Sequence, residues 1–177
     1  MFFILNFNLQ NMIIKQISLA LMLLLSIASC KKEETTTNTT VQRLVFGTYF
    51  GECLTDCVTI FALDSAKVQQ DTLINTFIPI NYVFAGVDLS NDKFEQVKHL
   101  LTEIPTELTT TPDKTYGCPD CHDQGGIYVE VTIIQAALGG NVLTTHKYAI
   151  DTDNTTDQSS DILSFKTKIL TAIQQLN

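Results

Sequence analysis

Two cysteine pairs, Cys53-x3-Cys57 and Cys118-x2-Cys121, each stand just before a strand-like run. The first precedes VTIFAL (Val58–Leu63), the second GIYVEVTII (Gly126–Ile134). Runs of β-branched and aromatic residues bounded by turn formers mark strands. The fold must therefore bring both pairs to strand ends and satisfy four sulfurs there. Gln42–Phe50, Val68–Leu73, Ile78–Phe84 and Val142–Ile150 read as further strands, with Pro79 suited to a strand start or an edge. Asp64-Ser65-Ala66-Lys67 and Ala137–Asn141 read as turns.

Two segments carry helical periodicity. After Ser90, an N-cap residue, Asp92 and Glu95 favour the first turns. Phe94, Val97, Leu101 and Ile104 fall on one stripe with Leu100 beside it, and Pro105 ends the run. A last helix from about Asp161 lines up Ile162, Phe165, Ile169, Ile173 and Leu176. The expected fold is α+β: an antiparallel sheet packed against two amphipathic helices. Each half opens with a cysteine pair and runs through strands to a helix, which suggests a β-β-α internal repeat. The two pairs then stand at equivalent strand ends, where they could meet.

The N-terminus reads as a targeting segment. Lys15 is the only charge before Lys31, and ISLALMLLLSIA (Ile17–Ala28) is an apolar run too short for a comfortable membrane span. Met12 offers a second start, since MIIKQ makes a compact signal peptide. Ile27-Ala28-Ser29-Cys30 resembles the lipobox of bacterial lipoproteins. That resemblance implies cleavage before Cys30 and a lipid anchor on its thiol, holding the chain to a membrane through several acyl chains. Lys31-Lys32-Glu33-Glu34 resembles the export signal of Bacteroidetes-type surface lipoproteins, which implies the outer face of the outer membrane. The division expected is a signal peptide at 1–29, a lipidated cysteine and flexible Thr-rich tether at 30–40, and one globular domain at 41–177. TTTNTT (Thr35–Thr40) holds no apolar residue to offset chain entropy. The stretch Phe50–Leu63, with its G-x-C-x3-C before a strand and turn, resembles a family of small bacterial domains of unknown function. That family brings no activity with it.

The formal net charge of −8 argues against nucleic acid or an anionic membrane surface as partner. Export places Cys53, Cys57, Cys118 and Cys121 where disulfides form. Four cysteines allow three pairings. Cross-links between the pairs would close loops of about 65 residues; a local Cys118–Cys121 bond fits its Pro-Asp turn, whereas Cys53 and Cys57 need a turn between them. Structural disulfides are the first expectation. Zinc on four thiolates is the second.

The third is c-type haem, because Cys118-Pro119-Asp120-Cys121-His122 spells C-x-x-C-H, with His122 as proximal ligand. Against haem, all methionines (Met1, Met12, Met22) lie in the signal region, His99 faces water, and His146 is left as the one credible sixth ligand. A thioredoxin-type site is disfavoured because Gly125-Gly126 and a strand follow the motif, and Asp120 and Asp123 would raise a thiol pKa. Asp151, Asp153 and Asp157 could approach calcium but lack the central Gly and terminal Glu of an EF-hand loop. Ser65 and Thr72 sit in Asp-Ser/Thr contexts resembling the O-glycosylation sites of Bacteroidetes-type exported proteins.

The chain shows no recognised catalytic fingerprint. The function expected is a non-enzymatic binding or accessory module at the cell surface, meeting a surface protein or small ligand and needing no cofactor. The alternatives are a zinc- or haem-binding electron-transfer or sensor protein using Cys118, Cys121 and His122, and an enzyme whose site forms only on folding.

Overall fold

In a computed structural model the described residues are 39–51, 57–72, 83–137 and 140–177. The chain divides into two compact units, Met1–Thr36 and Thr37–Asn177, and every described residue belongs to the second. That unit is α+β. Its strands are β1 (Thr39–Tyr49), β2 (Val58–Asp64), β3 (Val68–Asp71), β4 (Gly86–Asp88), β5 (Lys114–Tyr116), β6 (Gly126–Ala137) and β7 (Gly140–Asp151). Its helices are α1 (Asn91–Val97), running on into a 3-10 segment at Lys98–Thr102, then α2 (Glu107–Thr110) and α3 (Ser160–Leu176).

The strands form one seven-stranded sheet in the order β4-β3-β2-β1-β6-β7-β5. All neighbours are antiparallel except β5, which runs parallel to β7 at one edge. β1 is the axis: Tyr49 lies opposite Val58 of β2 on one side and Gly126 of β6 on the other. Strand alternation separates the side chains into two faces. Leu44 and Phe46 of β1, Phe61 and Leu63 of β2, Ile127, Val129, Val131 and Ile133 of β6, and Tyr148 and Ile150 of β7 are buried in the main core. Ile162, Phe165, Ile169, Ile173 and Leu176 of α3 join the same cluster, as the helical period predicts. Ser159 caps α3 by accepting from the Ile162 N–H at 3.3 Å.

α1 starts where expected, with Ser90 Oγ accepting from the Lys93 N–H at 3.4 Å. It is α-helical only to Val97, and the 3-10 segment then winds three residues per turn. Tighter winding carries Leu100 from beside the stripe into the core directly after Val97, and leaves Phe94, Leu101 and Ile104 partly buried.

Several boundaries differ from expectation. Thr39 and Thr40, read as tether, already pair with β6. The strand expected at 78–84 falls mostly outside the described residues; Val83 and Phe84 are not strand, and pairing with β3 comes instead at Gly86–Asp88. β3 ends at Asp71. The repeat is only partial. β2 and β6 do start at the same end of the sheet, flanking β1, so the cysteine-bearing connections are neighbours. One connection joins adjacent strands, however, whereas the other leads from β5 past β7 to β6. Among the described residues no helix is long and apolar enough to cross a membrane.

Ile169 is fully buried on α3. Ile169→Ala should lower unfolding free energy by about 2–5 kcal/mol in urea titrations. Leu143→Ala, at a position 64% exposed, should change it by less than about 0.5 kcal/mol.

Candidate functional site

The C-P-D-C-H segment is a tight loop at the end of the sheet. Cys118 and Cys121 are joined in a disulfide, with Cα atoms 5.5 Å apart. Cys57 is disulfide-bonded as well. Since Cys118 and Cys121 hold each other, the cross-link considered between the two pairs is not formed. The remaining candidates Cys53 and Cys30 lie outside the described residues. Both sulfurs that a thioether or a thiolate–metal bond would use are thus joined to each other in this state. His122 is exposed, and His146 lies on β7 five positions from Asp151, about 16 Å along the strand. His99 is exposed on the 3-10 segment, as expected. Among the described residues no group of three or more His, Cys, Asp and Glu is placed to hold a metal ion.

The loop is shaped by its acids. Asp120 and Asp123 adopt left-handed backbone, φ 62° and 57°, which short polar side chains tolerate by bonding locally. Asp120 Oδ1 accepts from the Gly125 N–H at 3.0 Å. Its Oδ2 accepts from the Gly51 N–H at 2.6 Å, just beyond the end of β1. Phe50, the residue before, donates its N–H to the Cys57 carbonyl at 2.9 Å. Thus the end of β1 is held on one side by the Cys57 connection and on the other by Asp120. The two glycines after the motif have separate reasons. Gly125 has φ +74°, and a Cβ on Gly126 would overlap the Tyr49 ring that lies across it. Burial, with Asp120 and Asp151 nearby, pushes the Tyr49 hydroxyl up to about 12.

Asp151, at the end of β7, organises the other side of the loop. Its Oδ2 accepts from the Cys118 N–H at 2.8 Å and its Oδ1 from the Asp153 N–H at 2.9 Å. Burial pushes its carboxyl up, but these N–H groups, the Gln124 amide and the Lys166 charge outweigh it and hold the group below the usual carboxylate value. The acidic loop read as a calcium candidate closes instead on Lys166. This buried side chain donates to the carbonyls of Asp151 (3.2 Å), Thr152 (3.2 Å) and Asp153 (2.9 Å). It also donates to Asn154 Oδ1 (2.9 Å) and Gln158 Oε1 (2.8 Å). A tethered ammonium therefore occupies the middle of the loop. Asp157 turns away from it, accepting from the Gly117 N–H at 2.9 Å and the Thr155 hydroxyl at 2.6 Å. Lys166 was overlooked in the sequence, although the helical period marks it. It falls four residues after Ile162 and three before Ile169, inside the buried stripe.

Two openings among the described residues lie elsewhere, on the sheet face opposite α3. One cavity of about 410 Å³ is lined by Arg43, Val83, Phe84, Glu130, Thr145 and Lys147. A second of about 230 Å³ lies on the other side of Lys147, along Asp113, Thr115, Tyr128 and Ala149. A β-bulge between Val41 and Arg43 of β1 aims Val41 at the core and Arg43, the chain's sole arginine, at this face. The Arg43 guanidinium lies 4.9 Å from the centre of the Phe84 ring. Tyr128 donates to Glu130 Oε2 at 2.8 Å, and the Lys147 ammonium stands 3.7 Å from the same oxygen. Burial, reinforced by Glu130, pushes the Tyr128 hydroxyl far up, so it acts as a neutral donor. The face was legible: in GIYVEVTII, Tyr128, Glu130 and Thr132 alternate with the core residues. Phe84 and Arg43 carried no such signal.

Ser65 is exposed in the β2–β3 turn, where Asp64 Oδ1 accepts from the N–H groups of Ala66 (2.8 Å) and Lys67 (3.0 Å). Thr72 is exposed, with its hydroxyl donated to the Ala85 carbonyl at 2.7 Å. No protein-family model, curated protein or solved structure matches the chain. The resemblances drawn from Cys30 and from Phe50–Leu63 therefore stand on their residues alone.

A carboxylate held low when folded stabilises above its unfolded value, about 3.9, and that contribution is lost as pH falls through the folded value. Asp151 and Asp157 are both held low. Stability should therefore decline as pH is taken from about 5 towards 2. Asp151→Asn should lower stability at neutral pH and flatten this acid limb in urea titrations. An equally steep limb in the variant would show that Asp151 is not its source.

Proposed function

We propose that the chain is an exported, lipid-anchored surface protein whose folded unit is a non-enzymatic binding module. The observation that carries the binding role is the cleft on the sheet face opposite α3. Two cations, Arg43 and Lys147, meet one carboxylate, Glu130, beside the Phe84 ring and the Thr145 hydroxyl. A concave site with a few convergent polar groups and an aromatic wall suits a small polar ligand. The excess of cation over carboxylate, on a chain of net charge −8, favours an acidic group on that ligand.

Export is supported by the Cys118–Cys121 disulfide, a bond that persists in oxidising compartments. The anchor is supported by Ile27-Ala28-Ser29-Cys30, and surface display by Lys31-Lys32-Glu33-Glu34.

Two measurements test the halves of this reading. In a lipoprotein-processing host fed labelled fatty acid, the chain should incorporate label and partition with membranes, and Cys30→Ala should lose the label. Label retained in Cys30→Ala would contradict the anchor. For the cleft, amide shifts should be followed during titration with galacturonate and with galactose, which lacks its carboxylate. Shifts at Arg43, Glu130 and Lys147 with the acid alone, lost in Arg43→Ala, support the site. Equal responses to both sugars, or none to either, count against an acidic ligand there.

A further inference from the structure

We propose that the outer edge of β7, Asn141–Thr145, is a docking strand for the same edge of a second copy of this chain. β7 pairs along its whole length with β6, but on its other side β5 covers only Tyr148–Ile150. The next outward group, the Lys147 N–H, is taken by Asp113 Oδ1 at 2.9 Å. In an antiparallel ladder successive residues point their N–H and C=O groups alternately to the two sides. Since Lys147 points away from β6, so do Thr145, Leu143 and Asn141. Among the described residues no strand pairs with them on that side.

Sheet edges are normally blunted by charge, proline or short length. The opposite edge of this sheet follows that rule: β4 has three residues, and its Asp88 is paired with Lys67 at 2.9 Å. The β7 edge does not. Gly140–Thr145 (GNVLTT) holds no charge and no proline, and Val142 and Leu143 are 50% and 64% exposed.

Charge and register select the occupant. A net charge of −8 sets copies against one another over most of their surface, whereas this edge carries none of it. Antiparallel pairing of two such edges about a two-fold axis can join all three open residues at once, with Leu143 opposite Leu143 of the second copy. Asn141 then faces the second copy's Thr145, and Val142 faces its Thr144, with no like charges opposed. The same patch serves both copies, as a closed dimer requires. The ladder ends at Lys147, where Asp113 already holds the N–H.

The test uses the full chain purified in detergent. Sedimentation should show a concentration-dependent doubling of protein mass. Leu143→Lys, at a position outside the core, should abolish the doubling while leaving the melting curve unchanged at dilutions where both chains are monomeric. A nitroxide on Leu143→Cys should show dipolar broadening that disappears on dilution with unlabelled chain, whereas one on Gln174→Cys, exposed on α3, should show none. A monomer at every concentration, a dimer that survives Leu143→Lys, or broadening at position 174 but not at 143 would each overturn the proposal. Loss of the dimer would leave the Arg43-dependent cleft untouched.

Discussion

The ammonium of Lys166 is the point on which the end of this fold is organised. A buried cation must find oxygens, and α3 carries this one into a loop that supplies five. Three of them are main-chain carbonyls of residues 151–153, so satisfying the lysine also fixes the backbone leaving β7. That backbone sets the Asp151 carboxylate, which accepts from the Cys118 N–H. The disulfide loop in turn presents Asp120 to Gly51 and Gly125. One chain of hydrogen bonds thus runs from the helix layer through the acidic loop to the end of β1. Removing the ammonium leaves its buried partners, the Asp151 carbonyl and the Gln158 amide oxygen, without that donor, which is why these contacts act together.

This arrangement divides the molecule's tasks by face. Apolar burial fastens α1 and α3 to one side of the sheet. The polar network fixes the sheet end, where both cysteine connections flank β1. The opposite face buries a smaller cluster of Val45, Tyr49, Val58, Ile60, Ala62 and Tyr128, and beside it β1, β6 and β7 place Arg43, Glu130 and Lys147 next to Phe84, which lies outside the strands. The bulge in β1 is what lets a single strand serve the core with Val41 and the cleft with Arg43.

Much of the fold was legible because its signals are local. Period-2 alternation marked β6 and β7, the apolar stripe at helical spacing named every buried residue of α3 except Lys166 and Ala172, and Ser90 announced α1. What escaped depends on distant partners. β5 is three residues long and exists because β7 offers it an edge. Leu100 reaches the core only because the helix tightens after Val97. The C-P-D-C-H spelling suggested haem through a five-residue pattern, while the left-handed Asp120 and its bond to Gly51, 69 positions away, could not be seen from that pattern. The acids at 151, 153 and 157 suggested a cation, and a cation is there, delivered covalently from α3.

The most direct test of this account is amide hydrogen exchange on Lys166→Met, which keeps the apolar stem and removes the ammonium. The account predicts faster exchange at Gly117, Cys118 and Asp153, with the β1–β2 ladder at Val45–Ala62 still protected. Unchanged protection at Cys118 and Asp153 in a folded variant would show that Lys166 does not hold the end of the sheet together.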